Sequence, residues 1–187
     1  MNDKTALRAQ AIAHRDKIAA GDEDVEAAAD LFFAHVKPKK NAVISCYWPM
    51  GREFDSRYLI DDIVKNGFSL CLPVAGKASR VMEFAPWDGK ADLVKGEFGI
   101  MVPDTEDRIE PDILVVPFLA FDRKGHRLGR GAGHYDATIA ELRARRDILA
   151  IGLGYAAQAV LFNLPAEAHD QPLDMVITPN GVHDFRA

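Results

Sequence analysis

The chain has 187 residues, 48% of them hydrophobic and 27% charged, with a formal net charge of -5. That length is most simply one domain burying roughly 70% of its unfolded surface. The acidic balance argues against non-specific nucleic-acid binding as the main task, while leaving room for a local basic pocket. The longest apolar runs fall short of the ~20 residues of a membrane span. The N-terminal "MNDKTALRAQ" has no continuous apolar segment of the kind a signal peptide needs, so a cytoplasmic protein is expected. Cys46 and Cys71 form no CxxC and sit inside apolar runs, as small core residues of a reducing compartment do.

In chain order, residues 4–20 ("KTALRAQAIAHRDKIAA") predict a helix with Leu7, Ala11, Ile12 and Ile18 roughly on one face, stopped by Gly21. Residues 24–36 predict a second helix, ending before Pro38. "AVISCYW" (42–48) reads as a buried strand broken by "PMG". Asp55 is a candidate N-cap for a helix over 56–66, which Gly67 terminates. "FSLCLPV" (68–74) is a second buried strand and "RVMEFAPW" (80–87) an edge strand, followed by a loop-rich stretch over 88–110. "DILVVPFLAF" (112–121) is the strongest central strand. A helix over 135–146, the strand "ILAIGLG" (148–154), a short helix near 158–162 and the strand "DMVIT" (174–178) close the chain. Strands alternating with helices predict an α/β fold: a mainly parallel sheet with helices on both faces. Ligands then bind beyond the carboxyl ends of the strands.

One such end carries "FDRKGHRLGRGAGHYD" (121–136). Gly129, Gly131 and Gly133 permit backbone conformations closed to other residues and let N–H groups approach a ligand closely. A helix starting just after adds its positive end, and Arg123, Lys124, Arg127 and Arg130 add full charges. That combination suits a polyphosphate, the alternative being a solvated hairpin or turn with incidental basic residues. Neither GxxxxGK[ST] nor GxGxxG is present, because His134 takes the third glycine position of the latter. Asp136 has two readings on residues alone: a helix-start carboxylate, or a ligand for Mg²⁺ beside phosphates.

The stretch "DILVVPFLAFDRKGHRLGRGAGHYD" resembles the signature of the 5-formyltetrahydrofolate cyclo-ligases (methenyltetrahydrofolate synthetases). "KTALR", "EFDSRYLI", "FGIMVPD" and "LPAEAHDQPLDMVIT" resemble further family motifs in the same order. The resemblance implies a ribose-phosphate isomerase and CoA-transferase-like architecture. It also implies ATP- and Mg²⁺-dependent conversion of 5-formyltetrahydrofolate to 5,10-methenyltetrahydrofolate, with ADP and phosphate released. It assigns ATP contacts to Lys4, Arg8, Arg127, Leu128, Gly129, Arg130, Gly131, Ala132, Gly133, His134 and Tyr135. Folate contacts fall to Met50, Glu53, Asp55, Arg130, Gly131, Ala132, Gly133 and His134, the metal to Asp136 and Asp170, and catalytic roles to Arg130 and Tyr135. The implied partners are small molecules, with no nucleic acid and no membrane, and the chain is expected to be a monomer or weak homo-oligomer. Two positions depart from the signature: Phe118 stands for the glycine of VPG and His134 for the first tyrosine of YYD. They keep open the alternative of a folate- or nucleotide-binding protein with impaired catalysis.

Overall fold

The computed structural model describes residues 4–18 and 23–186. Gly21, expected to stop the first helix, falls outside them. Helices span α1 (Lys4–Arg15), α2 (Val25–Val36), α3 (Arg57–Lys65) and α4 (His134–Arg143). The strands are β1 (Val43–Ser45), β2 (Ser69–Val74), β3 (Glu83–Trp87), β4 (Leu93–Lys95), β5 (Met101–Pro103) and β6 (Ile113–Val116). They continue with β7 (Ala120–Phe121), β8 (Arg127–Leu128), β9 (Leu149–Leu153), β10 (Met175–Thr178) and β11 (Gly181–Asp184).

Seven strands form one sheet in the order β11-β10-β9-β6-β1-β2-β3. The five inner strands are parallel, and an antiparallel strand closes each edge. The expected mainly parallel sheet, covered on both faces, is therefore present. Side chains alternate across a strand, and β6 shows the consequence. Ile113 and Val115 face the core built by Phe32, Leu59, Ile60 and Ile63 of α2 and α3. Leu114 and Val116 face the opposite core, with Ile139 and Leu142 of α4. Burial on both faces is why these strands read as unbroken apolar runs.

The chain leaves β1 toward β2 on one side of the sheet and later returns to lay β6 on the other. Such a reversal opens a crevice beyond the carboxyl ends of the two strands. Residues 46–53 and 117–119 border it.

Four expectations change. The run over 112–121 is not one strand. β6 ends at Val116, Pro117 has no N–H to donate, and residues 120–121 turn into the β7–β8 hairpin. The helix expected near 158–162 is a single 3₁₀ turn, Ala156–Gln158. Beyond it Val160 N–H donates to Phe121 O at 2.9 Å, so the chain pairs as a bridge instead of coiling. The N-cap position of α3 is Ser56, not Asp55; its hydroxyl donates to Tyr47 O at 2.5 Å, while Asp55 Oδ1 accepts Arg57 N–H at 3.1 Å. Finally, β4, β5 and the edge strand β11 arise in stretches not read as strands.

Phe118 is 5% exposed and meets Phe121 edge to face, with ring centroids 5.3 Å apart. Space for its ring comes from Gly152 and Gly154: a Cβ on Gly154 would lie 2.4 Å from Phe118 Cζ. The departure from VPG is thus matched by absent side chains across the layer. Gly154→Ala is expected to lower the unfolding free energy by about 1–3 kcal/mol through overpacking. Combining it with Phe118→Leu restores part of the loss, a non-additivity that urea denaturation of the three variants measures.

Candidate active site

The crevice between β1 and β6 is a cleft of about 440 Å³. One wall is the segment after β1, with Tyr47, Trp48, Met50 and Glu53; the other is the loop 129–133 and the first turn of α4. Helix α1 lies along it and presents Lys4, Arg8 and Arg15.

The loop conformation is built from both of its ends. Arg127, with a side chain 4% exposed, donates through Nη2 to Asp136 Oδ1 at 2.8 Å and through Nη1 to Gln171 O at 2.6 Å. Asp136 Oδ1 also accepts Gln171 N–H at 2.9 Å. Gly131 (φ +104°) and Gly133 (φ +74°) take left-handed backbone angles between these anchors, and Gly133 caps α4. Arg8 Nε donates to Gly129 O at 3.2 Å, pinning the loop to α1.

Asp122 holds the preceding hairpin. It is 1% exposed and accepts N–H groups from Lys124 (2.8 Å), His126 (3.0 Å) and Leu164 (2.9 Å). Burial alone would raise its carboxyl, but these donors and the His126 ring outweigh it and hold the group below its ordinary value.

At the α1 end, Lys4 Nζ lies 2.7 Å from Asp170 Oδ2 and 2.8 Å from Glu167 Oε1. Asp170 Oδ2 also accepts Glu167 N–H at 2.7 Å. Burial works against the charged forms of Lys4 and Asp170, yet their mutual bond wins: Lys4 is raised and Asp170 lowered. At the opposite wall, Glu53 Oε2 accepts Met50 N–H at 2.9 Å, and Oε1 lies 3.3 Å from Arg130 Nε. Tyr135 lines the cleft with its phenol pushed well above the ordinary range by desolvation, with Glu53 adding to the shift. The phenol is therefore neutral at physiological pH. The His134 ring reaches Arg80 O from Nδ1 at 3.0 Å and sits 5.3 Å from the Phe98 ring.

Of the site residues singled out from the sequence, Lys4, Arg8, Met50, Glu53, residues 127–136 and Asp170 line this cleft. Asp55 lies outside the lining, its two oxygens taken by the Arg57 guanidinium at 2.8 and 2.6 Å. Arg123 and Lys124 are exposed at the hairpin tip and also stay outside. Trp48 lines the cleft, packed edge to face on Trp87 at 5.7 Å. Sequence reading passed over Arg15, Tyr47, Phe98 and Glu167; for Glu167, the three-residue spacing to Asp170 was an available signal. Cys46 and Cys71 are free and fully buried, and burial pushes both thiols up to about 12.

A mainly parallel sheet with a cleft lined by arginines and glycines at its reversal point defines an α/β protein with a candidate ligand site beyond the strand ends. The 5-formyltetrahydrofolate cyclo-ligase family model matches residues 1–179. The 5-formyltetrahydrofolate cyclo-ligase of Mycolicibacterium smegmatis is 35% identical over 144 residues, 73% of each chain. That of Escherichia coli K12 is 32% identical over 140 residues, 71% of this chain and 75% of the other. The NMR structure of Aquifex aeolicus 5,10-methenyltetrahydrofolate synthetase superposes with a TM-score of 0.79 at 28% identity, covering 98% of this chain and 93% of that one. The Mycoplasma pneumoniae synthetase shares the fold, with a TM-score of 0.74 at 21% identity. The chain belongs to the 5-formyltetrahydrofolate cyclo-ligase family.

The depressed Asp122 group carries a stability signature. Its contribution is complete above the unfolded pKa of about 3.9 and is lost as pH falls through its lower folded value. Asp122→Asn, which leaves buried N–H groups facing an amide, should cost about 1–3 kcal/mol near neutral pH. That difference from wild type shrinks below about pH 4, which denaturation at a series of pH values tests.

Proposed function

We propose that the protein converts 5-formyltetrahydrofolate to 5,10-methenyltetrahydrofolate with ATP as co-substrate and Mg²⁺ as cofactor. The observation that carries this reading is one cleft holding a basic glycine loop on the start of a helix beside the Met50–Glu53 wall. Loops of that kind bind phosphates, and the opposite wall leaves room for a heterocycle. The two free, buried thiols fit a reducing, cytoplasmic setting.

The chemistry explains why these residues suffice. A formamide carbon is a poor electrophile and its oxygen a poor leaving group. Transfer of the γ-phosphoryl group to the formyl oxygen forms an O–P bond, breaks the bond to ADP, and cures both defects. The adjacent folate amine then attacks the formyl carbon, the C–O bond breaks, and phosphate departs, its oxygens taking up the amine proton. Such transfer needs positioning and charge neutralisation more than a protein nucleophile. In this reading the N–H groups of residues 129–133 and the Arg8 and Arg130 guanidiniums hold the phosphates. Lys4 and Arg127 reach ATP from either side of the loop. Leu128 and Ala132 shape the cradle. Arg130 stabilises the transferring group and the Tyr135 hydroxyl donates to the reacting oxygen. Met50, Glu53 and His134 border the folate.

The carboxylates fit Mg²⁺, which prefers oxygen ligands, keeps several waters and needs only one or two side chains. Among the described residues neither Oδ2 of Asp136 nor Oδ1 of Asp170 accepts a hydrogen bond, and His169 Nε2 lies 3.8 Å from the latter. No described cluster of three or more His, Cys, Asp or Glu side chains forms a cage, so water and phosphate oxygens would complete the shell. When bound, the ion offsets the phosphate charge.

Purified protein given 5-formyltetrahydrofolate, ATP and Mg²⁺ should develop methenyl absorbance, and none when ATP is omitted. Tight folate binding without product would favour the impaired binding protein. Arg130→Ala should lower turnover roughly ten- to hundredfold, the worth of a charge-assisted hydrogen bond of about 1.5–3 kcal/mol. Asp136→Asn should raise the Mg²⁺ concentration for half-maximal rate and also lower the melting temperature, because Arg127 loses its buried partner. A shifted melt with coincident Mg²⁺ titrations would reduce Asp136 to a structural anchor.

A further inference from the structure

Arg15 is out of place for a residue of a surface helix. It is 5% exposed, while its neighbours His14 and Asp16 are exposed. Its Nε is fully buried and has no hydrogen-bond partner among the described residues. Among the described residues the carboxylate in ion-pair reach is Asp16, at 3.9 Å, whose side chain is 47% exposed. Burial lowers its affinity for a proton, and the like charge of Arg130 adds to this, with Glu53 only partly compensating. Burying an uncompensated charge is costly, and folded proteins retain such a group where a ligand completes its bonding.

Arg15 is among the residues that line the cleft, which is the side from which a partner can approach it. Arg15 lies eleven positions beyond Lys4 on α1, about 16 Å along the helix axis at 1.5 Å per residue. Lys4 marks the Asp170 end; Arg15 marks the other, beside Tyr47 and Glu53. Arg130 also lies within electrostatic reach, and at 5% exposure the Arg15 side chain is shielded from water. The charged glutamate tail of a folate needs solvent, whereas the neutral pterin, with its planar pyrimidinone half, suits a site shielded from water. That ring presents N–H donors and one oxo acceptor. Glu53 keeps acceptor capacity for the donors, and Arg15 supplies a planar donor fork.

We propose that Arg15 binds the pterin ring of the folate, donating to its 4-oxo oxygen. This rests on the cyclo-ligase reading above. Arg15 is a binding residue that sets ring orientation, so that the formyl oxygen faces the loop 129–133. A purely structural arginine and a ligand-seeking one differ in sign: removing an unpaired buried charge should not destabilise the free protein.

The test is Arg15→Met in the full chain, with Arg15→Lys as the charge-retaining variant. The expected result for Arg15→Met is a melting temperature equal to or above wild type. Its KM for 5-formyltetrahydrofolate should rise roughly ten- to hundredfold, with the KM for ATP within twofold. Arg15→Lys keeps the charge without the fork and should fall between. The same rise should appear with 5-formyltetrahydropteroate, which lacks the glutamate tail. A rise confined to the tailed substrate would move Arg15 to the tail and overturn the proposal. So would an unchanged folate KM, or a change confined to ATP. If wild type yields no methenyl product, the reaction reading fails separately. Calorimetry with 5-formyltetrahydrofolate on wild type and Arg15→Met then still decides: equal affinities overturn the proposal and a ten- to hundredfold loss upholds it.

Discussion

Everything at the site hangs from the buried guanidinium of Arg127. It donates to Asp136 and to Gln171 O, so three segments meet at one side chain: strand β8, the first turn of α4, and the chain around Asp170. Because Arg127 precedes the glycine loop and Asp136 follows it, their ion pair closes the loop at its base. Breaking a buried pair from one side costs about 3–5 kcal/mol, since the remaining charge stays unpaid. The loop can therefore be rich in glycine, open to solvent and still defined. The entropy of ordering it is offset at its base, leaving the N–H groups between free for a ligand.

The same anchor organises the charges. Gln171 follows Asp170, and Asp170 holds Lys4 at the start of α1. Arg8 then fastens that helix to the loop through Gly129 O. The helix is built into the wall of the cleft rather than laid on its surface, and its polar face supplies Lys4, Arg8 and Arg15. In a chain with a net charge of -5, the cleft lining thereby gathers Lys4, Arg8, Arg15, Arg127 and Arg130 beside the carboxylates of Glu53, Asp136, Glu167 and Asp170. The sheet contributes the place, through the reversal of strand order between β1 and β6. The loops contribute the chemistry.

Much of this was legible in the sequence for a physical reason. Strands buried on both faces must be apolar throughout, so β1, β2, β6, β9 and β10 announce themselves. The loop 129–133 was legible as a loop because three alternate glycines favour neither helix nor strand, and the fold sets it on the cleft. What stayed hidden depends on tertiary pairing. β11 carries Val182, His183 and Asp184, and it is a strand only because β10 offers it an edge. The run 118–121 is apolar because it is buried, yet Pro117 and Gln158, which donates to Phe118 O and Leu119 O, bend it away from the sheet. Arg15 looks like any solvated helix residue until its burial is seen. Asp55 and Glu53, two residues apart, could not be told apart by spacing; only the fold shows Arg57 claiming one and the cleft holding the other.

The central claim is that the closed glycine loop binds the polyphosphate through its own backbone. Calorimetric titration of a non-hydrolysable ATP analogue into wild type and Gly131→Val tests it most directly. Gly131 has φ +104°, and a Cβ there would sit 3.2 Å from Arg8 Cζ. A β-branched side chain thus forces the backbone out of the conformation that presents its N–H groups, at a cost of about 1–3 kcal/mol. The account predicts a loss of affinity of roughly tenfold to more than a hundredfold, in a variant whose circular dichroism matches wild type. Equal affinity in the two proteins would contradict it, and the loop would be a turn that binds nothing.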